Sequence, residues 1–342
     1  SIPKTVGGVV QYSNSNDASL LLPLHILGTS YVAMASEHSI VRLSDTNQFV
    51  GTMLNAHVTI VAPENGTTVT VKSNSTISAG TGVPAMAKGE TRTFTLGAYD
   101  VLQLASGDPA NTSTAGDLEC SDNPFNDPAC FILGSCTTIC RVDNDITGSI
   151  ITSNKPIAVF GGAACTLRPY NQTACDHIEE QLFPFATWGK NFVGARSAPL
   201  RLTSGQFASA VNAGADYYKI VSGLNGTAVT ITPTPSQSDV LTPNRCATGA
   251  PWTNNCVLAA GTFIEFKTRT SITVSASQPV QVGQFFAGQN ATLGSPRPDQ
   301  GDPSFVLLPP VEQWRSNYTV LTAPGIKDNY LGLVIHNTKV LS

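Results

Sequence analysis

Apolar and polar positions alternate with period two through Val58-Thr59-Ile60-Val61. They do so again through Val69-Thr70-Val71-Lys72, with Asn65-Gly66-Thr67 between the two runs. That pattern predicts a pair of antiparallel strands with one buried and one wet face, joined by a turn whose Asn and Gly tolerate positive φ. The pattern recurs as Lys219-Ile220-Val221, Asn225-Gly226-Thr227 and Val229-Thr230-Ile231, and Thr91-Arg92-Thr93-Phe94-Thr95-Leu96 alternates in the same way. Helical periodicity is scarce. Ile178-Glu179-Glu180-Gln181-Leu182 reads as a single helical turn that Pro184 would end.

Further elements repeat around this one. An apolar opener occurs three times: Leu22-Pro23-Leu24 with Gly28 and Tyr31, Phe183-Pro184-Phe185 with Trp188, Gly189 and Phe192, and Pro309-Pro310-Val311 with Trp314 and Tyr318. Gly97-Ala98-Tyr99 is matched by Gly261-Thr262-Phe263, and Ser153-Asn154-Lys155-Pro156-Ile157 by Ser277-Gln278-Pro279-Val280. Self-similarity of this order marks a repeat architecture. The expected fold is all-β, a tandem array of repeated β-sandwich-like modules, with a closed toroid or propeller-like arrangement as the alternative. The expected units are residues 1–18 (the closing strand of a preceding unit), 19–170, 171–300 and a partial unit at 301–342. Unit one carries a Cys-rich insertion near 106–146, and unit two a Cys insertion near 235–257. Two partial ends suggest pairing within the chain, a fragment of a longer polypeptide, or head-to-tail self-assembly in which residues 2–10, with Val6, Val9 and Val10, donate a strand. Trp188 and Trp314 recur with the repeat and are expected in the core.

Composition narrows the class. Only 12% of residues are Asp, Glu, Lys or Arg, with 19 basic and 23 acidic side chains, against about 25% charged in a typical soluble domain. With no basic stripe, nucleic acid is excluded as a partner. No run of about 18 apolar residues exists to span a membrane as a helix. Six of the eight cysteines form three pairs with one ten-residue spacing: Cys120 with Cys130, Cys165 with Cys175, and Cys246 with Cys256; Cys136 and Cys140 remain. Repeated local pairs read as disulfides formed outside the cytosol. A zinc half-site at Cys136 and Cys140 lacks a second short pair nearby. Seven Asn-x-Ser/Thr sequons, at Asn65, Asn74, Asn111, Asn171, Asn225, Asn290 and Asn317, are candidate glycosylation sites.

Candidate chemistry is sparse. Asp176, His177, Glu179 and Glu180 form the only dense ionisable cluster, but a zincin needs two His one turn apart, and a glycosidase needs opposed carboxylates across a cleft. A hydrolase is therefore the least favoured reading. Asp143 and Asp145 are candidate Ca²⁺ ligands, although the position due for the last EF-hand glutamate is Asn154. Gly80-Thr81-Gly82-Val83-Pro84-Ala85 matches a dinucleotide fingerprint only on paper, since it opens no helix. Trp252, which lacks a repeat counterpart, is a candidate ligand contact.

Cys175-Asp176-His177-Ile178-Glu179-Glu180-Gln181-Leu182-Phe183-Pro184, continuing to Trp188-Gly189, resembles the signature of the IgGFc-binding protein N-terminal domain family. Ser153 to Gly162 with Cys165, and Gly301-Asp302-Pro303, resemble it too. The resemblance implies a secreted or cell-surface protein associated with mucus or adhesion, and no enzyme. Antibody binding, which gives the family its name through one animal member, has no residue here by which it can be carried over. The expectation is a non-enzymatic extracellular structural or adhesive protein that binds protein or glycan partners or assembles with itself, or else a carbohydrate-binding module. No cofactor is expected beyond the candidate Ca²⁺.

Overall fold

The computed structural model describes residues 3–6, 9–12, 17–43, 49–107, 117–120, 137–142, 144–169, 175–200, 202, 204–206, 208, 214–242, 246, 256–288, 291, 301–320 and 330–335. Strands in the first part of the chain are β1 (Pro3–Val6), β2 (Val9–Tyr12), β3 (Gly28–Val32), β4 (Ser39–Leu43), β5 (Phe49–Leu54), β6 (Ala56–Val61) and β7 (Thr67–Lys72). They continue with β8 (Thr91–Leu96), β9 (Val101–Ala105), β10 (Asp117–Cys120), β11 (Thr137–Val142), β12 (Ile150–Thr166) and β13 (Asp176–Gln181). The second part holds β14 (Gly189–Gly194), β15 (Asp216–Ser222), β16 (Thr227–Thr232), β17 (Cys256–Leu258), β18 (Phe263–Thr268), β19 (Ile272–Phe286) and β20 (Ser304–Leu307).

Two curled seven-stranded antiparallel sheets share one topology. The first runs β8-β7-β12-β6-β9 with β3 and β13 also on β12. The second runs β17-β16-β19-β15-β18 with β14 and β20 also on β19. Each sheet is organised by one long strand that changes neighbours at a proline. Pairing of β12 with β7 ends at Ser153 and pairing with β6 starts at Ala158. On β19 the same switch falls between Ala276 and Val280. Pro156 and Pro279, which lack an N–H, thus occupy the one stretch where no ladder bond to these neighbours is needed.

The registers fix the repeat residue by residue. Asn65 and Asn225 are equivalent, each side chain accepting a backbone N–H at 2.9 Å, from Ala98 and Ala260 respectively. Those bonds shift one expected match by two residues. Gly97 corresponds to Ala259, and Tyr99, at φ 66, corresponds to Gly261, at φ 72. The turn, rather than the shared glycine letter, sets the alignment.

Other elements depart from the alternation-based reading. Residues 178–182 lie in and beside β13, a strand and not a helical turn, and the 3-10 turn forms after Pro184, at Phe185–Thr187. Burial on the β12 edge overrides the weak helical signal. β1 pairs with β2 in a two-stranded hairpin, so Val6, Val9 and Val10 bond within the hairpin. Trp188 is buried, but Trp314 is half-exposed. A four-stranded sheet, β10-β11-β4-β5, pairs two strands from the expected insertion, β10 and β11, with β4 and β5.

The openers join the units. Pro184 packs on Gly28, where an added Cβ would stand 2.6 Å from the proline ring, and Pro310 packs on Gly189 in the same way. Glu312 next to Pro310 accepts the Lys190 N–H at 3.2 Å and the Asn191 side-chain amide at 2.9 Å. Between the sheets runs a fully buried segment, Tyr31 to Ser39, whose Met34 backbone fills the space left by Gly161 and whose sulfur faces Gly283.

Candidate functional site

The seam between the sheets holds six buried charges. Lys219 on β15 places its Nζ 2.6 Å from Asp145 Oδ2, 3.7 Å from Glu265 and 3.9 Å from Glu37, and donates to the Ala35 carbonyl at 2.9 Å. Arg168 grips Glu37 with two bonds of 2.5 and 3.0 Å and reaches Glu265 at 3.2 Å. Arg141 lies 3.8 Å from Glu265. Burial alone would raise the Glu37 carboxyl, but Arg168, Lys219 and Arg141 together hold it well below the usual carboxylate range. Asp145, a sequence candidate for Ca²⁺, is thereby committed to the Lys219 ammonium and to the Thr147 N–H at 2.8 Å. Its partner candidate Asp143 lies outside the described residues. Glu37, Asp145 and Glu265 are close enough to share a cation, and Lys219 supplies one. Phe263 and Phe285 present their faces to it at 4.9 and 5.6 Å.

A second cluster sits on β13. The topology adds a member that spacing along the sequence does not reveal. His57 of β6 lies 3.8 Å from one Glu179 oxygen while His177 lies 3.8 Å from the other. The two rings stack with centroids 5.8 Å apart. His177 and His57 hold Glu179 down to about 2, and Glu179 in turn raises His177. Asp17 accepts the Glu179 N–H at 3.0 Å, and Ser19 accepts that of Gln181 at 2.7 Å. Residues 17–19 therefore cover the β13 edge with side chains. Glu180 is buried, and burial pushes it up to about 7 despite hydrogen bonds from Ser19 and the Leu307 backbone. Asp176 is buried, and its Oδ1 accepts the His177 N–H at 3.0 Å. The four acidic and basic residues singled out in sequence thus face different surroundings and form no opposed carboxylate pair.

A groove of about 640 Å³ opens on the first sheet, where its two end strands, β8 and β9, face one another without pairing. Its floor includes the Gly80–Val83 loop, held by reciprocal backbone bonds between Gly80 and Val83. Ser78, Thr81, Thr95 and Gln103 offer neutral hydrogen-bonding groups, Phe94 an aromatic surface, and Asp100 a carboxylate. Beside Asp100 stands Tyr99, 77% exposed and held at φ 66. A left-handed tyrosine is strained by roughly 1 kcal/mol, and the equivalent residue of the second unit, Gly261, adopts that φ without the strain.

Cys165 is bridged to Cys175 and Cys246 to Cys256, each with Cα atoms 5.2 Å apart. Cys140 is also disulfide-bonded, and in the β10–β11 register it stands opposite Cys120. Cys130, Cys136, Trp252, Asn111, Asn171 and Asn290 lie outside the described residues. Asn65, Asn225 and Asn317 are exposed, whereas the Asn74 amide nitrogen donates to the Thr147 carbonyl at 2.6 Å.

The family model described as IgGFc binding protein matches residues 17–341. A human protein named IgGFc-binding protein is 28% identical over 202 residues, which is 58% of this chain but 3% of the relative. The chain thus spans a small fraction of that relative's length. No solved structure matches.

Proposed function

The chain belongs to the IgGFc binding protein family, and on that premise we propose a non-enzymatic, secreted binding protein that meets glycan-bearing extracellular partners through the groove beside Tyr99. Tyr99 carries the reading. An exposed aromatic ring is retained at a backbone position where the sister unit uses glycine, and strain of this kind clusters at ligand contacts. The ring offers a stacking face, and the hydroxyl and amide groups of Ser78, Thr81, Thr95 and Gln103 suit a neutral polyhydroxylated ligand. Bridged cysteines and low charge agree with an extracellular setting. The human relative's name refers to immunoglobulin Fc, so Fc with and without its enzymatically removed glycan is a pertinent probe beside a glycan array. Retention of neutral oligosaccharides, weakened tenfold or more by Tyr99→Ala and Gln103→Ala, is the expected result. An array without retained glycans, or variants that bind like the parent, would discard the reading.

Self-assembly is favoured by one separate observation. The first opener exposes Leu20, Leu21 and Leu24 at 76, 69 and 68%, whereas the two later openers are docked on Gly28 and Gly189. Sedimentation velocity should show association that Leu24→Asp abolishes; a parent that stays monomeric at every concentration removes this reading.

A further inference from the structure

We propose that Lys219 and Asp145 condense, with Glu265 as the proton relay, into an intramolecular isopeptide bond that joins the first unit to the second. The reactants come from β15 and from the segment between β11 and β12, 74 residues apart. Lys219 Nζ lies 2.6 Å from Asp145 Oδ2. With the usual angle at an accepting oxygen, Nζ is then about 3.4 Å from Cγ, the separation of a near-attack conformer. Exposed lysine–carboxylate pairs come as close and stay ions, because water solvates both charges. Here the two side chains are 0 and 4% exposed, and the rings of Phe263 and Phe285 wall the ammonium at 4.9 and 5.6 Å. The Ala35 carbonyl, at 2.9 Å, holds Nζ in place.

Groups for each stage of an acyl transfer surround the pair. Glu265 Oε2 stands 3.7 Å from Nζ, and a Glu265 oxygen lies within 4.8 Å of an Asp145 oxygen, so this carboxylate can carry protons from one to the other. The Thr147 N–H donates to Asp145 Oδ1 at 2.8 Å, the oxygen that takes up negative charge when Cγ is attacked. Glu37, gripped by Arg168, stays a counter-charge. In the step itself Nζ loses a proton to Glu265 and attacks Cγ. Glu265 passes that proton, and then a second one from the nitrogen, to Oδ2. The Cγ–Oδ2 bond breaks, water leaves and an amide remains. Ammonium and carboxylate thus become amide and water, with no oxidant or cofactor. Burial favours the product, because the bond removes two charges that are costly away from water. Glu37 and Glu265 are left against Arg141 and Arg168, two anions to two cations. The bond is independent of the groove beside Tyr99.

The test takes the full chain, unfolded and with its disulfides reduced, to tryptic peptide mapping by mass spectrometry. A branched peptide joining the Asp145 and Lys219 segments, lighter than their sum by one water molecule, is expected, with no cleavage after Lys219. Lys219→Arg, which keeps the charge, and Asp145→Ala should abolish the branched peptide. Glu265→Gln should lower its yield tenfold or more. Circular dichroism confirms that each variant is folded. Cleavage after Lys219 in the parent with both segments at their sequence masses, or a folded Glu265→Gln variant that forms the bond as fully as the parent, would overturn the proposal.

Discussion

Single residues here carry unusual electrostatic and conformational loads. Tyr99→Gly should raise stability by about 1 kcal/mol, because the left-handed backbone no longer strains a side chain. The same change should weaken glycan binding; thermal unfolding and the array, run on one preparation, check both. Glu180 is raised to about 7 by burial, so the folded state holds its proton more tightly than the unfolded chain. Its stabilisation is complete below the unfolded value near 4.5 and is lost as pH rises through about 7. Asp17 and His177 are also raised and act in the same direction. Urea midpoints should therefore fall between pH 4.5 and 8, with Glu180→Gln removing up to roughly 3 kcal/mol of that fall. Lys219→Met strips the shared cation from Glu37, Asp145 and Glu265. A loss of about 3–5 kcal/mol is expected, and a denaturation midpoint equal to the parent's would contradict that account of the seam.

At the scale of elements, the Pro-on-Gly contact is the joint of the array. Gly189→Ala brings a methyl group into the Pro310 ring, and Gly28→Ala does the same at Pro184. Each should destabilise by about 1–3 kcal/mol by overpacking, whereas Gly80→Ala, with open space around it, should not. The β11 ladder argues for a different bridge from the one that spacing suggests. Cys120, opposite Cys140, is the expected partner, and non-reducing peptide mapping separates the two pairings. The strands, the turns and the openers were legible because period-two alternation and Asn-Gly or Pro-x-x-x-x-Gly spacing are local signals. The ionisable site was half legible: His177 and Glu179 share a segment, but His57 joins them only through the β6-β12-β13 register, which no local spacing records. Likewise, Lys219 and Asp145 give no sign in sequence of being an ion pair. Alternation along β15 hides a lysine that a buried, fully paired environment accepts.

In the whole molecule, two sheets of one topology are held together by openers at the surface and by charge at the centre. The halves of the seam are each neutral: Glu37, Asp145, Arg141 and Arg168 come from the first part, Lys219 and Glu265 from the second. Neutrality of each half matters for the order of events at synthesis. The chain is made from its N-terminus, so the first sheet is complete in sequence well before Lys219, which lies 184 residues after its partner Ala35 and 74 after Asp145. Contacts of such separation close late. Until then Glu37 can pair with Arg168 while Asp145 waits in water, carrying no excess charge that would repel the arriving strand. Water leaves the seam only when β15 and β18 deliver their lysine and glutamate together.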